Sequence, residues 1–191
     1  MRGSPASADP RALRSREQIL SALHRVAREG TLTNLSALSA AAGVTRATIY
    51  NHFETLEEAA WFAISASFEQ LMERDSSERH RGIAPELVGV TSLRSVIEML
   101  RDEEPLARIA DTYRSSSVLP GLAGILLGTV ESFRGEFSTA ASAESQAQDI
   151  YVAGGLYAVM STGAWGQRDA GEVARVAYSL LPNWMRHPTE G

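Results

Sequence analysis

Asn34-Leu-Ser-Ala-Leu-Ser-Ala-Ala-Ala-Gly-Val-Thr-Arg-Ala-Thr-Ile-Tyr-Asn-His-Phe53 is the stretch on which the reading of this 191-residue chain turns. Small and apolar residues from Leu35 to Ala42 predict a short helix. Gly43 stops it, because glycine tolerates the left-handed conformation needed after a helix end. Val44 plugs the turn, and Thr45 is placed to cap a second short helix by offering its hydroxyl to the free N–H groups of the next turn. That second helix carries Arg46, Thr48, Tyr50, Asn51 and His52, all polar or amphipathic. Ile49 and Phe53 are expected to point into a core, while Ala47 is small enough to approach something flat.

Two helices joined by a turn of a few residues containing Gly form the helix-turn-helix, whose second helix enters the major groove of DNA. The segment resembles the DNA-binding region of the tetracycline-repressor (TetR) family of bacterial regulators. Ala42 through Phe53 follow that family's run of Ala-Gly-Val-Ser/Thr, two variable positions, Thr/Ser, Leu/Ile, Tyr, a variable residue, His/Tyr and Phe. Upstream, the family's aliphatic-then-small pair falls on Leu38 and Ser39, where Ala is more usual at the second position. Downstream, the Lys that usually opens the family's fourth helix is replaced by Leu56, which cannot supply the charge. A backbone N–H at Leu56 or Glu57 is left for that phosphate. The detailed match covers residues 14 to 60.

The resemblance implies a DNA-facing set of Thr33, Asn34, Thr45, Arg46, Ala47, Thr48, Tyr50, Asn51 and His52. Arg46 is the candidate for a base edge, since a guanidinium matches guanine O6 and N7. Ala47 and Thr48 are placed for apolar or hydroxyl contacts to bases. Tyr50 and His52 are assigned to phosphates, which fix register without reading sequence; half-buried packing is the alternative for Tyr50. Thr33 and Asn34 open the second helix, where free N–H groups and the helix dipole favour a phosphate. Arg14 and Arg16 either add backbone contacts or decorate a solvated helix end. A C2 dimer of this kind reads an inverted repeat with half-sites about one helical turn or slightly more apart.

A net charge of −5 alone argues against nucleic acid, but the charge is unevenly distributed. Residues 1–53 hold seven Arg against three acids and the remainder eleven Arg against twenty acids, so a +4 end is attached to a −9 body. Such an asymmetry directs one end toward phosphate. There is no Lys, a bias that a GC-rich genome would also produce. Absence of Cys excludes disulfide and thiolate chemistry and fits a reducing cytosol, and Met1–Pro10 lacks the apolar core of a signal peptide. The longest apolar stretch, Val118–Val130, contains Pro120 and three Gly and is too short to span a bilayer. A cytoplasmic protein that does not enter the membrane is therefore expected.

Periodicity predicts an all-α chain of about nine helices: a disordered tail over 1–10, a three-helix helix-turn-helix domain over 11–54, and a helical domain over 55–191. Asp9-Pro10 or the capping box Ser15-x-x-Gln18 opens the first helix, which buries Ile19, Leu20, Leu23, Val26 and Ala27 and ends at Gly30. Thr55-x-x-Glu58 caps a fourth helix to about Arg74, and the polar run Asp75–Gly82 reads as a loop. Further helices are expected over Pro85–Asp102, Pro105–Tyr113, Pro120–Phe137, Glu144–Trp165 and Ala170–Met185.

For residues 55–191 the resemblance implies effector binding and dimerisation. The family's last two long helices form a four-helix bundle with their symmetry mates. The corresponding positions are Ile150, Ala153, Gly154, Tyr157, Ala158 and Ser161 on one helix, and Val173, Val176, Ala177, Leu180 and Leu181 on the other. Packing inside one subunit is the alternative for these faces. An effector pocket between the fourth and eighth helices would draw on Phe62, Phe68, Met72, Met99, Tyr113, Phe133, Tyr151 and Trp165, unless these are plain core. Such a lining suits a mostly apolar small molecule, and the fourth helix is the natural lever between ligand and DNA.

No enzyme is expected, and neither cofactor nor metal. The four His are scattered, none paired at metal-ligand spacing on one helix. Asp102-Glu103-Glu104 reads as a solvated helix end before Pro105. Gly121-x-x-Gly124-x-x-x-Gly128 follows no strand and lacks a Lys-Ser/Thr partner, so it is not a phosphate loop. The remaining rival is a helical adaptor or ligand-binding protein of the same fold that has lost DNA binding.

Overall fold

The computed structural model describes residues 10–79, 81, 83–112, 118–137, 143–164, 166 and 168–187, and among these every regular element is helical. The order is α1 (Pro10–Arg28), α2 (Leu35–Ala42), α3 (Arg46–His52), α4 (Leu56–Arg79), α5 (Pro85–Asp102), α6 (Glu104–Thr112), α7 (Val118–Phe137), α8 (Ala143–Ala164), α9 (Ala170–Leu180) and α10 (Asn183–Arg186). The all-α expectation holds. Close packing divides the chain into two compact units: Met1–Ile64 with Pro105–Tyr113, and Ser65–Glu104 with Arg114–Gly191.

The first unit is built on α1, whose Ile19, Ala22, Leu23, Val26 and Ala27 repeat at the three- and four-residue steps that keep one helical face inward. Leu35 and Leu38 of α2, Ile49 of α3 and Phe53 complete the first layer. Leu56, Ala59, Ala60, Ala63 and Ile64 of α4, with Leu106 and Ala110 of α6, belong to the same core. That is why this unit extends to Ile64, ten residues beyond the boundary read from the sequence.

In the second unit α5 packs against both α8 and α9, and α7 lies along α8. The α5–α9 approach is close: a Cβ at Gly89 would fall 2.8 Å from Cδ2 of Tyr178, so any side chain there would have to push the ring aside. Burial, and then the neighbouring charge of Glu86, raise the Tyr178 hydroxyl above its ordinary pKa, with Arg186 acting against them. Several side chains fasten segments far apart in sequence. Arg134 donates from Nε (2.8 Å) and Nη2 (2.6 Å) to Asp149 Oδ1, joining α7 to α8. Its guanidinium also lies 4.0 Å over the Trp184 ring, which leans on Phe133. Ser67 donates to the buried Glu103 at 2.7 Å. Arg101 donates to the carbonyls of Ala164 (3.2 Å) and Arg168 (2.5 Å), closing the end of α8.

Three helix boundaries differ from the sequence reading. The fourth helix continues to Arg79 instead of ending near Arg74, because Asp75 is buried and accepts a hydrogen bond from Ser92 of α5. A polar run without an apolar face reads as a loop, whereas its first residue has a partner inside the unit. The last expected helix is divided at Pro182, which has no N–H to donate and disfavours helical geometry in the residue before it. Leu181 accordingly turns extended, at φ −64° and ψ 145°, and α10 follows. The seventh helix begins at Val118, with Pro120 inside its first turn, where the missing N–H breaks no helical bond.

Candidate functional site

Local side chains cap the N-termini of α2 and α3, and backbone N–H groups close their C-termini. The Ala37 N–H donates to Asn34 Oδ1 at 2.8 Å, capping α2, and the Asn34 amide donates to Thr33 Oγ1 at 3.3 Å. The cap thus consumes one of the free N–H groups at the start of α2. Gly43 ends α2 in the left-handed region at φ 66°. Its N–H donates to the Ala40 carbonyl (3.3 Å), and the Val44 N–H donates to that of Ser39 (3.2 Å). The Thr48 N–H donates to Thr45 Oγ1 at 3.1 Å, and the two hydroxyls lie 2.9 Å apart. The Thr48 hydroxyl is therefore turned back toward the cap.

With Ile49 fully buried and the Phe53 ring packed at a tilt against Phe62, centroids 5.2 Å apart, α3 is held by one face. The rest of the helix is open: Thr45, Arg46, Ala47, Asn51 and His52 are exposed, Thr48 is half-buried, and Tyr50 is 54 % exposed; Thr33 and Asn34, at the start of α2, are exposed as well. Half-buried packing, the alternative for Tyr50, does not describe this placement. Seven of the nine residues named as DNA-facing thus lie on α3 or at its cap, and Thr33 and Asn34 stand at the start of α2; none of the nine is in the core.

The basic residues of α1 and α3 divide. Arg14, Arg28 and Arg46 are exposed. Arg16 lies over the Phe62 ring at 5.0 Å, and Arg25 Nη2 donates to the Ala41 carbonyl at 2.8 Å across an open groove of about 360 Å³ between α1 and α2. Leu56 is buried in the core. At the start of α4 the Glu58 N–H donates to Thr55 Oγ1 (3.1 Å), and the Glu58 carboxylate accepts at Oε2 from the Glu54 N–H (2.7 Å), one residue before the cap, a near relative of the capping box.

The other named residues disperse. Phe62 lies between Phe53 and Arg16 in the first unit. Phe68 is buried in the second, where Met72 and Met99 are half-buried and Phe133 rests on Trp184. Tyr151 is 83 % exposed on the outer side of α8, which removes it from any interior lining. Tyr113 and Trp165 lie outside the described residues, as does the side chain of Ser161.

Of the residues assigned to a dimer interface, Ala153, Val173 and Ala177 are buried within this chain and have no surface to offer a second one. Ile150, Gly154, Ala158, Val176 and Leu180 are exposed, while Tyr157 and Leu181 are half-buried. Helical spacing alone marks both sides of a two-faced helix as small and apolar, so it could not separate the inward from the outward set.

Among the described residues no group of three or more His, Asp or Glu is placed to hold a metal ion, and no helix is long and apolar enough to cross a membrane. Neither the models of known protein families nor the curated proteins include a match to this sequence.

Proposed function

We propose that this chain is a ligand-responsive, sequence-specific DNA-binding regulator of transcription, a cytoplasmic homodimer built on the TetR plan. In this reading it is a repressor, released from an inverted-repeat operator by a mostly apolar small molecule. The observation that carries the proposal is α3. This short helix is capped at Thr45, anchored by Ile49 and Phe53, and presents Arg46, Tyr50, Asn51 and His52 outward together.

Arg46 takes the base-reading role, and Thr48 acts chiefly through its methyl group because its hydroxyl faces Thr45. Dimerisation is supported by the apolar stripe Ile150, Tyr151, Gly154 and Ala158 along α8, and by Val176 and Leu180 on α9, the last 69 % exposed. Water-facing apolar groups at helical spacing suit an isologous interface. Ligand control would act as a coupling energy of about 1–3 kcal/mol between the two conformations.

The adaptor reading keeps one observation in its favour. Glu54, Glu57 and Glu58 gather at the start of α4, where the N–H groups of Glu54 and Glu58 are already taken. Titrating binding to a duplex against salt separates the two readings. A regulator loses affinity with a log–log slope of about −0.9 for each phosphate neutralised. An adaptor shows no duplex binding at any salt concentration.

A further inference from the structure

We propose that Ser39 and Arg25 are positioning residues for α3: they hold the end of α2 and the turn after it, and so set the direction of the DNA-facing helix without touching DNA. The inference rests on the reading of α3 given above. Seven residues do not make a stable helix alone, so its direction must come from what it is tied to. Ile49 and Phe53 tie one face to the core. The other tie is the turn Gly43-Val44-Thr45.

That turn is bridged in both directions by one residue. The Ser39 carbonyl accepts the Val44 N–H at 3.2 Å, and the Ser39 hydroxyl donates to the Val44 carbonyl at 2.9 Å. Val44 immediately precedes the cap of α3, so fixing both of its polar groups fixes where that helix begins. Ser39 is only 5 % exposed, and at such a position a hydroxyl adds nothing to apolar burial. Alanine would fill the space, and the hydroxyl is explained by its bond to the turn.

The last carbonyls of a helix need outside donors. In α2 the Ser39 and Ala40 carbonyls receive them from the turn, and that of Ala41 receives Arg25 of α1. A guanidinium at a helix C-terminus is favourable to both the carbonyl and the dipole. Arg25 thereby fastens α2 to α1 at the end from which the turn departs. Its charge counts toward the basic end in the sequence, but its role is internal.

The test compares Ser39→Ala and Arg25→Ala with the unaltered protein by amide hydrogen exchange without DNA, and by binding to a selected duplex and a scrambled one over a range of salt. Loss of one such bond should speed exchange of the Ile49–Phe53 amides by about tenfold relative to those of Leu23 and Val26. Affinity for the selected duplex should fall by a similar factor, with scrambled-duplex affinity and salt slope unchanged. Equal loss of protection in α1 and α3, or none in α3, would overturn the proposal. So would an Arg25→Ala slope shallower by about 0.9, the mark of a lost phosphate contact. Arg25 is exposed, so its variant should fold even if Ser39→Ala does not. If the unaltered protein binds no duplex, the DNA reading fails, and the exchange comparison alone still decides whether these residues hold α3.

Discussion

The two units solve the same problem, fixing helices in place, over different distances along the chain. In the first, the fastenings around α2 and α3 are mostly local: Asn34 to Ala37, Ser39 to Val44 and Thr45 to Thr48 each lie within five residues, and Arg25 to Ala41 is the longer tie at sixteen. In the second they are remote: Arg134 to Asp149 spans fifteen residues, Ser67 to Glu103 thirty-six, and Arg101 to Arg168 sixty-seven. Around its apolar core the first unit uses capping side chains and one guanidinium-to-carbonyl bond. The second buries carboxylates and gives them partners, an arrangement that costs more when one partner is lost.

The largest effect should follow from breaking the remote kind of fastening. Arg134→Ala leaves the nearly buried Asp149 carboxylate without its bidentate partner and removes the stack on Trp184. Thermal or denaturant unfolding should show a loss of about 3–5 kcal/mol. Replacing both residues together by apolar ones of similar size should recover most of it. Next comes Gly89→Ala, whose added methyl meets the Tyr178 ring and should cost about 1–3 kcal/mol as overpacking. Breaking a local fastening should matter less: Thr45→Ala removes the α3 cap and should cost about 1 kcal/mol. Its effect should be seen in exchange of the Thr48 amide more than in global melting.

The smallest effect is confined to alkaline solution. Because folding raises the Tyr178 pKa, the folded state holds that proton more tightly than the unfolded chain does. Stability from this source is complete below the unfolded value near 10 and falls as pH rises through the folded one. In Tyr178→Phe that part of the alkaline decline should vanish from unfolding measured across pH 9 to 12, about the range over which the group titrates.

The same contrast explains what the sequence could disclose. Gly43, Thr45, Ile49 and Phe53 act within a few residues of one another, so caps, turn and core-facing positions around α3 were legible. Ser39 carried a signal as well, a hydroxyl where a small apolar residue is usual, although nothing in the sequence named Val44 as its partner. Arg25 gave none, because its acceptor lies sixteen residues away on another helix. For α8 and α9 the spacing is apolar on both sides, and tertiary neighbours alone decide that Ala153 turns inward while Ile150 and Tyr151 turn out. The extension of α4 past Arg74 was hidden for the same reason, since the partner of Asp75 is on α5. Pro182 is a break signal that the sequence does carry, in a segment whose helical spacing continues on both sides of it.

The proposal that α3 reads DNA for a dimer stands or falls on selecting random duplexes with the purified protein, sequencing the enriched pool, and repeating the selection with Arg46→Ala. An inverted repeat with half-sites about one helical turn or slightly more apart should be enriched. Each half-site should hold a guanine whose preference disappears in the variant. A pool that stays random at low as well as moderate salt would refute DNA reading by α3.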